Sequence, residues 1–258
     1  MKNQAIFLLL LLLISRLFAF DDLWQKTQEI SSRSNNLIPG RSSITFDYTQ
    51  TVRLTDFMVH WEAELIHELD ATNQIRTSIE SKKMTDNFNE LKNQVIPIST
   101  LNEFRTTLDQ FRKSFTDMVN GQANIDLTPK ENGIFTENDR KILTVKRQKK
   151  LLQIGGITCV EYQINYKPKE KKDEQTKGKI WVHSETGVPV YAELQPLQSL
   201  LSMVPGLKPE LQIYFDYDPD NNTYYPSRQV LNMIYNLPES TITMKTLSEL
   251  SDYWFYHD

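Results

Sequence analysis

The sequence predicts a mainly β protein with an α lid, an α+β fold. One strongly curved antiparallel sheet forms an unclosed barrel, and amphipathic helices cover its concave face. Three observations carry this expectation. Nearly every strand segment alternates apolar with polar residues, so each buries one face only. The segments fall in two groups, with a phenylalanine-striped helical pattern between them. Most of the links are short, which suits antiparallel neighbours.

Other architectures fit less well. A doubly wound parallel sheet is buried on both faces and reads as continuous apolar runs. A two-sheet sandwich and a single bent sheet both accept half-buried strands. Strands before and after a Phe-striped helix favour the bent sheet, because that stripe needs an apolar surface to lie on.

The chain opens with Lys2, an apolar run over residues 5–14, and the small residue Ala19 ahead of Asp21 and Asp22. Charge, apolar stretch, small residue and polar start are what export and cleavage require. The run is well short of the roughly 20 residues that span a bilayer, and Arg16 follows it closely. Residues 1–19 are therefore expected to be a cleavable signal peptide, residues 20–258 one domain, and the periplasm the destination. Cys159 is the one cysteine. An intrachain disulfide needs two, so the core rests on burial, and Cys159 is expected as a small buried hydrophobe.

A helix is predicted over Asp22–Ser34. In residues 42–53, Ile44, Phe46, Tyr48 and Val52 alternate with polar residues, and Gln50 is the polar exception on the apolar face. After a turn expected at Thr55 and Asp56, Phe57, Val59, Trp61, Ala63 and Leu65 share one face, while His60, Glu62 and Glu64 share the other. A weaker strand covers residues 74–80, and a short helix is expected over 85–95. From Leu101 to Val119 the apolar residues are spaced by three and four, with Phe104, Leu108, Phe111 and Phe115 among them. Thr100 reads as the N-cap with Glu103 three residues on, and Asn120 and Gly121 as the stop.

Strands resume at 142–145 and 160–166. A hairpin over 178–194 turns at Ser184, Glu185, Thr186 and Gly187, where Gly187 supplies positive φ. Residues 211–217 and 224–235 pair around a turn at 219–222, and residues 242–245 add a further strand. The connection from Gln195 to Pro209 is rich in leucine and reads as a flap folded onto the core. Tyr253 to Tyr256 is an aromatic cluster expected to pack as a last strand on the lid.

A sheet of this length curls. A concavity wider than one helix then leaves an apolar cavity, of the kind that holds acyl chains or similar ligands. Its expected lining is Phe46, Tyr48, Trp61, Leu65, Tyr162, Ile164 and Phe215 from strands, with Phe104, Leu108 and Phe111 from the helix. The bland alternative is that helices fill the concavity.

Catalytic and metal motifs are lacking in the sequence. His67 and Glu68 begin like a zincin helix, but no second histidine follows four residues on. His60 and His67 fall on opposite faces of one strand. There is no G-x-S-x-G elbow, and the 8 glycines offer no phosphate-cradling loop. Glu62 and Glu64 are read as the wet side of their strand. With 29 basic against 33 acidic residues, the chain has no electrostatic reason to bind nucleic acid. The expectation is a non-enzyme without cofactor or metal.

The stretch Gly156-Ile157-Thr158-Cys159-Val160-Glu161-Tyr162-Gln163-Ile164 is a glycine turn into an alternating strand. Lys179-Ile180-Trp181-Val182-His183-Ser184-Glu185-Thr186-Gly187-Val188-Pro189-Val190 follows after a charged loop. From Gly155 to about residue 235 the sequence resembles the LolA-like family of periplasmic lipoprotein and lipid carriers. His183 stands where the family usually has aspartate, while Gly187 and Pro189 keep the turn. The resemblance implies an unclosed barrel with a helical lid that shields lipoprotein acyl chains or lipid, with transient membrane contact on transfer. The competing expectation is a non-carrier envelope protein that uses the same scaffold to bind a partner protein.

Overall fold

The computed structural model describes residues 21–34, 37–69, 75–119, 143–166, 176–195 and 207–255. The expected signal peptide, the helix stop at Asn120 and Gly121, and residues 196–206 of the leucine-rich connection lie outside the described residues.

Helix α1 spans Asp22–Ser34, followed by β1 (Leu37–Ile38), β2 (Arg41–Val52), β3 (Thr55–Leu69) and β4 (Ile75–Asp86). Two helices come next, α2 (Phe88–Leu91) and α3 (Ile98–Val119). Among the described residues of the second half the elements are all strands: β5 (Leu143–Ile154), β6 (Ile157–Tyr166), β7 (Thr176–His183), β8 (Pro189–Gln195), β9 (Leu207–Asp218), β10 (Thr223–Asn236), β11 (Ser240–Ser251) and β12 (Trp254–Phe255).

Ten of these strands form one antiparallel sheet in the order β4-β3-β2-β11-β10-β9-β8-β7-β6-β5, while β1 pairs with β12. The two edges, β4 and β5, are not neighbours, so the curved sheet stays unclosed. Directly opposed residues in an antiparallel ladder point to the same side. One side can therefore be followed across the whole sheet as Met84, Trp61, Phe46, Thr246, Leu231, Leu211, Leu194, Gly178, Ile164 and Val145. The neighbouring row on the opposite side reads Lys83, Glu62, Thr45, Leu247, Val230, Gln212, Glu193, Lys179, Gln163 and Lys146. The alternation seen in each strand thus adds up to one apolar face and one largely polar face.

Helices cover the apolar face at both ends. On β2 and β3, Phe104 and Leu108 of α3 pack with Tyr48, Phe57 and Val59, and Phe88 and Leu91 of α2 join them. Phe104 stacks on Phe57 at 4.9 Å, and Phe111 lies 4.7 Å from Tyr48. On β6 to β8, Leu23 and Trp24 of α1 pack with Tyr162, Ile180 and Leu194, with the Trp24 and Tyr162 rings 4.9 Å apart. Asp21 caps α1, its carboxylate accepting from the Leu23 amide at 3.2 Å. The buried Thr27 hydroxyl lies 2.7 Å from the Gly187 carbonyl and ties α1 to the β7–β8 turn.

Several boundaries differ from the sequence expectation. The β2–β3 turn is at 53–54, and Thr55 already belongs to β3. Strand β4 runs on to Asp86 and leaves only a four-residue helix where residues 85–95 were expected helical. Helix α3 starts at Ile98, directly after Pro97, so Thr100 is inside it rather than capping it. Strands β5 and β11 each reach twelve residues against four expected, because charged side chains on their wet faces mask the period. Leu207 and Pro209 are in β9, and Trp254 and Phe255 pair with β1 rather than packing on the lid.

Arg53 occupies the β2–β3 turn at φ 57. That left-handed region costs a residue with a Cβ roughly 1–2 kcal/mol. Replacing Arg53 with glycine removes the penalty but adds unfolded-chain entropy. A net gain of about 0.5 kcal/mol is expected, read as a higher urea midpoint at unchanged slope. Phe104 is 0% exposed, and Phe104→Ala is expected to cost about 3–5 kcal/mol in the same measurement.

Candidate binding cleft and its supports

Strands β8 and β9 pair only over Tyr191–Leu194 against Leu211–Tyr214. Beyond that stretch β9 stays with β10, from Leu207 opposite Tyr235 to Glu210 opposite Asn232, and has no ladder to β8. Pro209, which has no amide proton to offer, lies in this segment of β9. A cleft of about 890 Å³ opens there. Its walls include Ile164, Gly178 and Leu194 on one side, and Leu207, Pro209 and Ile234 on the other. Lys146, Lys177, Lys179 and Lys208 line it together with Glu193 and Glu210. The floor is aliphatic and the charges are predominantly positive, in a chain whose net charge is −4.

Gly178 shapes this cleft. A Cβ built there would stand 2.2 Å from the Glu193 carbonyl oxygen and 2.8 Å from Leu194. Glycine lets β7 and β8 approach closely where the row of apolar side chains would otherwise continue.

Of the ten residues expected to line a cavity, Ile164 borders the cleft. The structure gathers Phe46, Tyr48, Trp61, Phe104, Leu108 and Phe111 into the cluster under α3. Tyr162 and Ile164 lie in the cluster under α1, with half-buried Phe215 packed against it. Leu65 is buried on β3, apart from both clusters. The apolar face between the helices is carried by Met233, Met244, Leu231 and Leu211, all half-buried. Sequence reasoning missed the cleft, since its lining is gathered from strands far apart in the chain. The signals available were Gly178 and Pro209, each a poor strand-interior residue.

Polar groups hold the coverings in place. Gln50, the polar exception on β2, is 2% exposed and accepts from the Tyr48 hydroxyl at 3.0 Å. Its amide donates to Glu103 of α3 at 2.6 Å, which gives Glu103 a role other than the expected capping box. Burial, followed by the Glu103 carboxylate, pushes the Tyr48 hydroxyl up to about 12. At the other end, the Tyr162 hydroxyl donates to Asp21 at 2.7 Å, and Arg147 pairs with the same carboxylate at 3.1 Å. Burial and the Asp21 bond raise the Tyr162 pKa.

His67 and Ser42 form a pair the sequence did not suggest, with Nε2 2.8 Å from Oγ. Nδ1 faces the Thr77 hydroxyl at 3.0 Å rather than a carboxylate. Both residues of the pair are buried, so this is a satisfied core contact rather than a nucleophile with its base. His60, on the opposite side of β3, pairs with Asp47 at 2.7 Å. Cys159 is 0% exposed, and its thiol pKa is raised by burial. Among the described residues no group of His, Cys, Asp or Glu is placed to hold a metal ion, and no helix is long and apolar enough to cross a membrane.

No protein-family model matches the sequence, and no curated protein sequence does. Solved structures to which the chain is similar include a domain described as that of an outer membrane lipoprotein-sorting protein from Vibrio parahaemolyticus. It is 9% identical, with 90% of this chain and 91% of that chain covered and a TM-score of 0.35. A LolA superfamily protein from Nitrosomonas europaea is 10% identical, over 90% and 93% of the two chains, with a TM-score of 0.26. The MucA/MucB complex of Pseudomonas aeruginosa is 6% identical, over 92% and 100%, also with a TM-score of 0.26. At scores this low the likeness decides nothing about function. The ladders and the cleft stand on their own.

Burial lowers the His67 pKa below the usual 6.5. The unfolded chain therefore takes up this proton first as pH falls, and the contribution of neutral His67 is lost from about pH 6.5 downward. Urea midpoints measured across this range should fall toward acid in the wild type and flatten in His67→Gln. Gly178→Ala should lower stability by about 2 kcal/mol or more, since backbone must move to admit the methyl group.

Proposed function

We propose that this chain is a non-enzymatic carrier of the cell envelope that shelters an apolar ligand, lipid or lipoprotein acyl chain, during transfer between membranes. The observation that carries this reading is the cleft between β8 and β9. Ile164, Leu194, Leu207 and Pro209 bring the apolar side of the sheet into it, residues of the polar side such as Lys146, Lys179 and Glu193 rim it, and its size is in the range of sites that take ligands of acyl-chain bulk. Exported character comes from the N-terminal pattern, and binding requires no cofactor.

The same reading assigns a resting state to the ten residues expected to contact ligand. Phe104, Leu108 and Phe111 occupy the concavity above Phe46, Tyr48 and Trp61 in the place of a hydrocarbon chain. Tyr162, Ile164 and Phe215 are sheltered by α1 beside the cleft, and Leu65 closes the far part of β3. A longer ligand would enter at Ile164 and displace a helix from the face, at the modest cost that a two-state lid allows.

The competing reading is capture of a partner protein by strand addition, and the sheet edges oppose it. Edge strand β5 carries Lys146, Lys149 and Lys150 and breaks register between Arg147 and Leu151. Edge strand β4 carries Lys82 and Lys83, and its ladder to β3 shifts between Glu64 and Leu65. Lysines and bulges are the devices that prevent edge pairing.

Native mass spectrometry of the chain purified from the envelope should show co-purified lipid, and the protein should bind a fluorescent fatty acid that palmitate displaces. Ile234 is partly exposed at the cleft. Ile234→Glu should weaken fatty-acid binding about tenfold without unfolding the chain. A wild-type cleft that takes no fatty acid, with a protein partner co-purifying instead, would falsify the carrier reading.

A further inference from the structure

The end of the sheet at which the cleft opens presents aliphatic side chains to water. Leu54, in the β2–β3 turn, is 101% exposed, while Val95 and Ile98, on the link from α2 into α3, are 108% and 77% exposed. Leu237, in the β10–β11 turn, is exposed as well. The ladders place these residues at one end. Val52 is opposite both Thr55 and Ser240, and the Leu237 amide donates to the Ser240 carbonyl at 2.8 Å. Asn87 binds the α2 link to β3, accepting from the Met58 amide and donating to the Asp56 carbonyl, each at 2.9 Å. Gln195 and Leu207, on the rim of the cleft, belong to the same end.

Single exposed leucines are ordinary on protein surfaces. A group of them on adjoining turn tips is not what turn chemistry selects, since such positions favour glycine, asparagine and aspartate. The β2–β3 turn holds Arg53 in left-handed backbone directly before the fully exposed Leu54. A cation is thus kept at a position where glycine would relieve strain, the kind of outlier from which a functional role is inferred. Further cations flank the apolar tips. The Lys92 ammonium is 4.8 Å from the centre of the Phe88 ring, and the Arg105 guanidinium is 5.8 Å from it. Of the carboxylates at this end, Asp56 is engaged by Thr51 at 2.7 Å, Asp86 by Arg112 at 3.2 Å and Glu103 by Gln50 at 2.6 Å. Glu90 and Glu239 are exposed.

We propose that this end is a membrane-docking tip: Leu54, Val95, Ile98 and Leu237 insert into the interface of a lipid bilayer while Arg53, Lys92 and Arg105 meet anionic headgroups. Protruding aliphatic residues bracketed by cations match the chemistry of the boundary between acyl chains and phosphates. The tip rests on the carrier reading for its purpose, since docking here sets the mouth of the cleft against the membrane. Membrane insertion and cleft occupancy are nonetheless separate measurements.

The test uses the full chain carrying an environment-sensitive fluorophore at Leu54→Cys, at Val95→Cys, or at Asn221→Cys in the turn at the opposite end. Cys159, being buried, is left in place. Vesicles of phosphatidylethanolamine and phosphatidylglycerol should blue-shift the probes at 54 and 95, and brominated lipid should quench them, with little change at 221. The double variant Leu54→Ser, Ile98→Ser should bind these vesicles about tenfold more weakly than the wild type. Its fatty-acid affinity should be unchanged. Equal responses at 54 and 221, or no response at 54 with the protein on the vesicles, would overturn the tip, as would an absence of vesicle binding. Loss of fatty-acid binding in the wild type would count against the carrier reading alone.

Discussion

A ten-stranded sheet with one apolar side has to be covered from that side alone, and much of the structure answers this constraint. The apolar row from Met84 to Val145 crosses every strand. A single helix is about 10 Å wide, whereas ten strands at 4.7–4.9 Å spacing form a far broader surface even when curled. Two separate helical covers result, α3 over β2 and β3 and α1 over β6 to β8. The first helix reaches on to β10 through Ile30 and the buried Tyr224, and Leu231, Met233 and Met244 between the covers are half-buried. The half-buried surface between the covers is thus set by a mismatch between the breadth of the sheet and the helices available to cover it.

The covers are secured by few polar contacts, and those contacts are well placed. Glu103 of α3 meets the buried Gln50, and Asp21 at the head of α1 meets Tyr162 and Arg147. Each is a charge-assisted bond at partly buried groups, stronger than a neutral one but local in extent. Most of the holding energy is the non-directional packing of Phe104, Leu108, Leu23 and Trp24. Polar contacts are spaced along each cover, from Asp21 through Thr27 to Ser34 on α1 and at Glu103 and Arg112 on α3, and packing between them does the rest.

The helix at Asp22–Ser34, the one-sided strands and the β7–β8 turn at Gly187 were legible in the sequence, because each rests on local period or on glycine at positive φ. The length of β5 and β11 was hidden by Lys146, Lys149 and Lys245, which are ordinary on a wet strand face and yet look like loop. The packing of Phe46 with Phe111 followed from their shared face, but the location of the free volume did not. That volume is lined by residues of β5 to β10, a property of several strands together rather than of any one segment. The buried His67–Ser42 contact was likewise out of reach, since it joins residues 25 apart across a ladder.

The strand order has a consequence for how the molecule assembles. Strands β2 to β4 form one meander and β5 to β11 another, and among the described strands of this sheet the two are joined where β2 lies against β11. Ser240 and Arg41, at opposite ends of that seam, belong to segments roughly two hundred positions apart, so closing it carries the slow kinetics of high contact order. During synthesis the first meander must wait, one flank bare, until almost the last strand has been made. Its flank strand β2 is rich in threonine and aromatic residues, with few charges to deter a wrong neighbour. Such a nascent chain has good reason to be escorted.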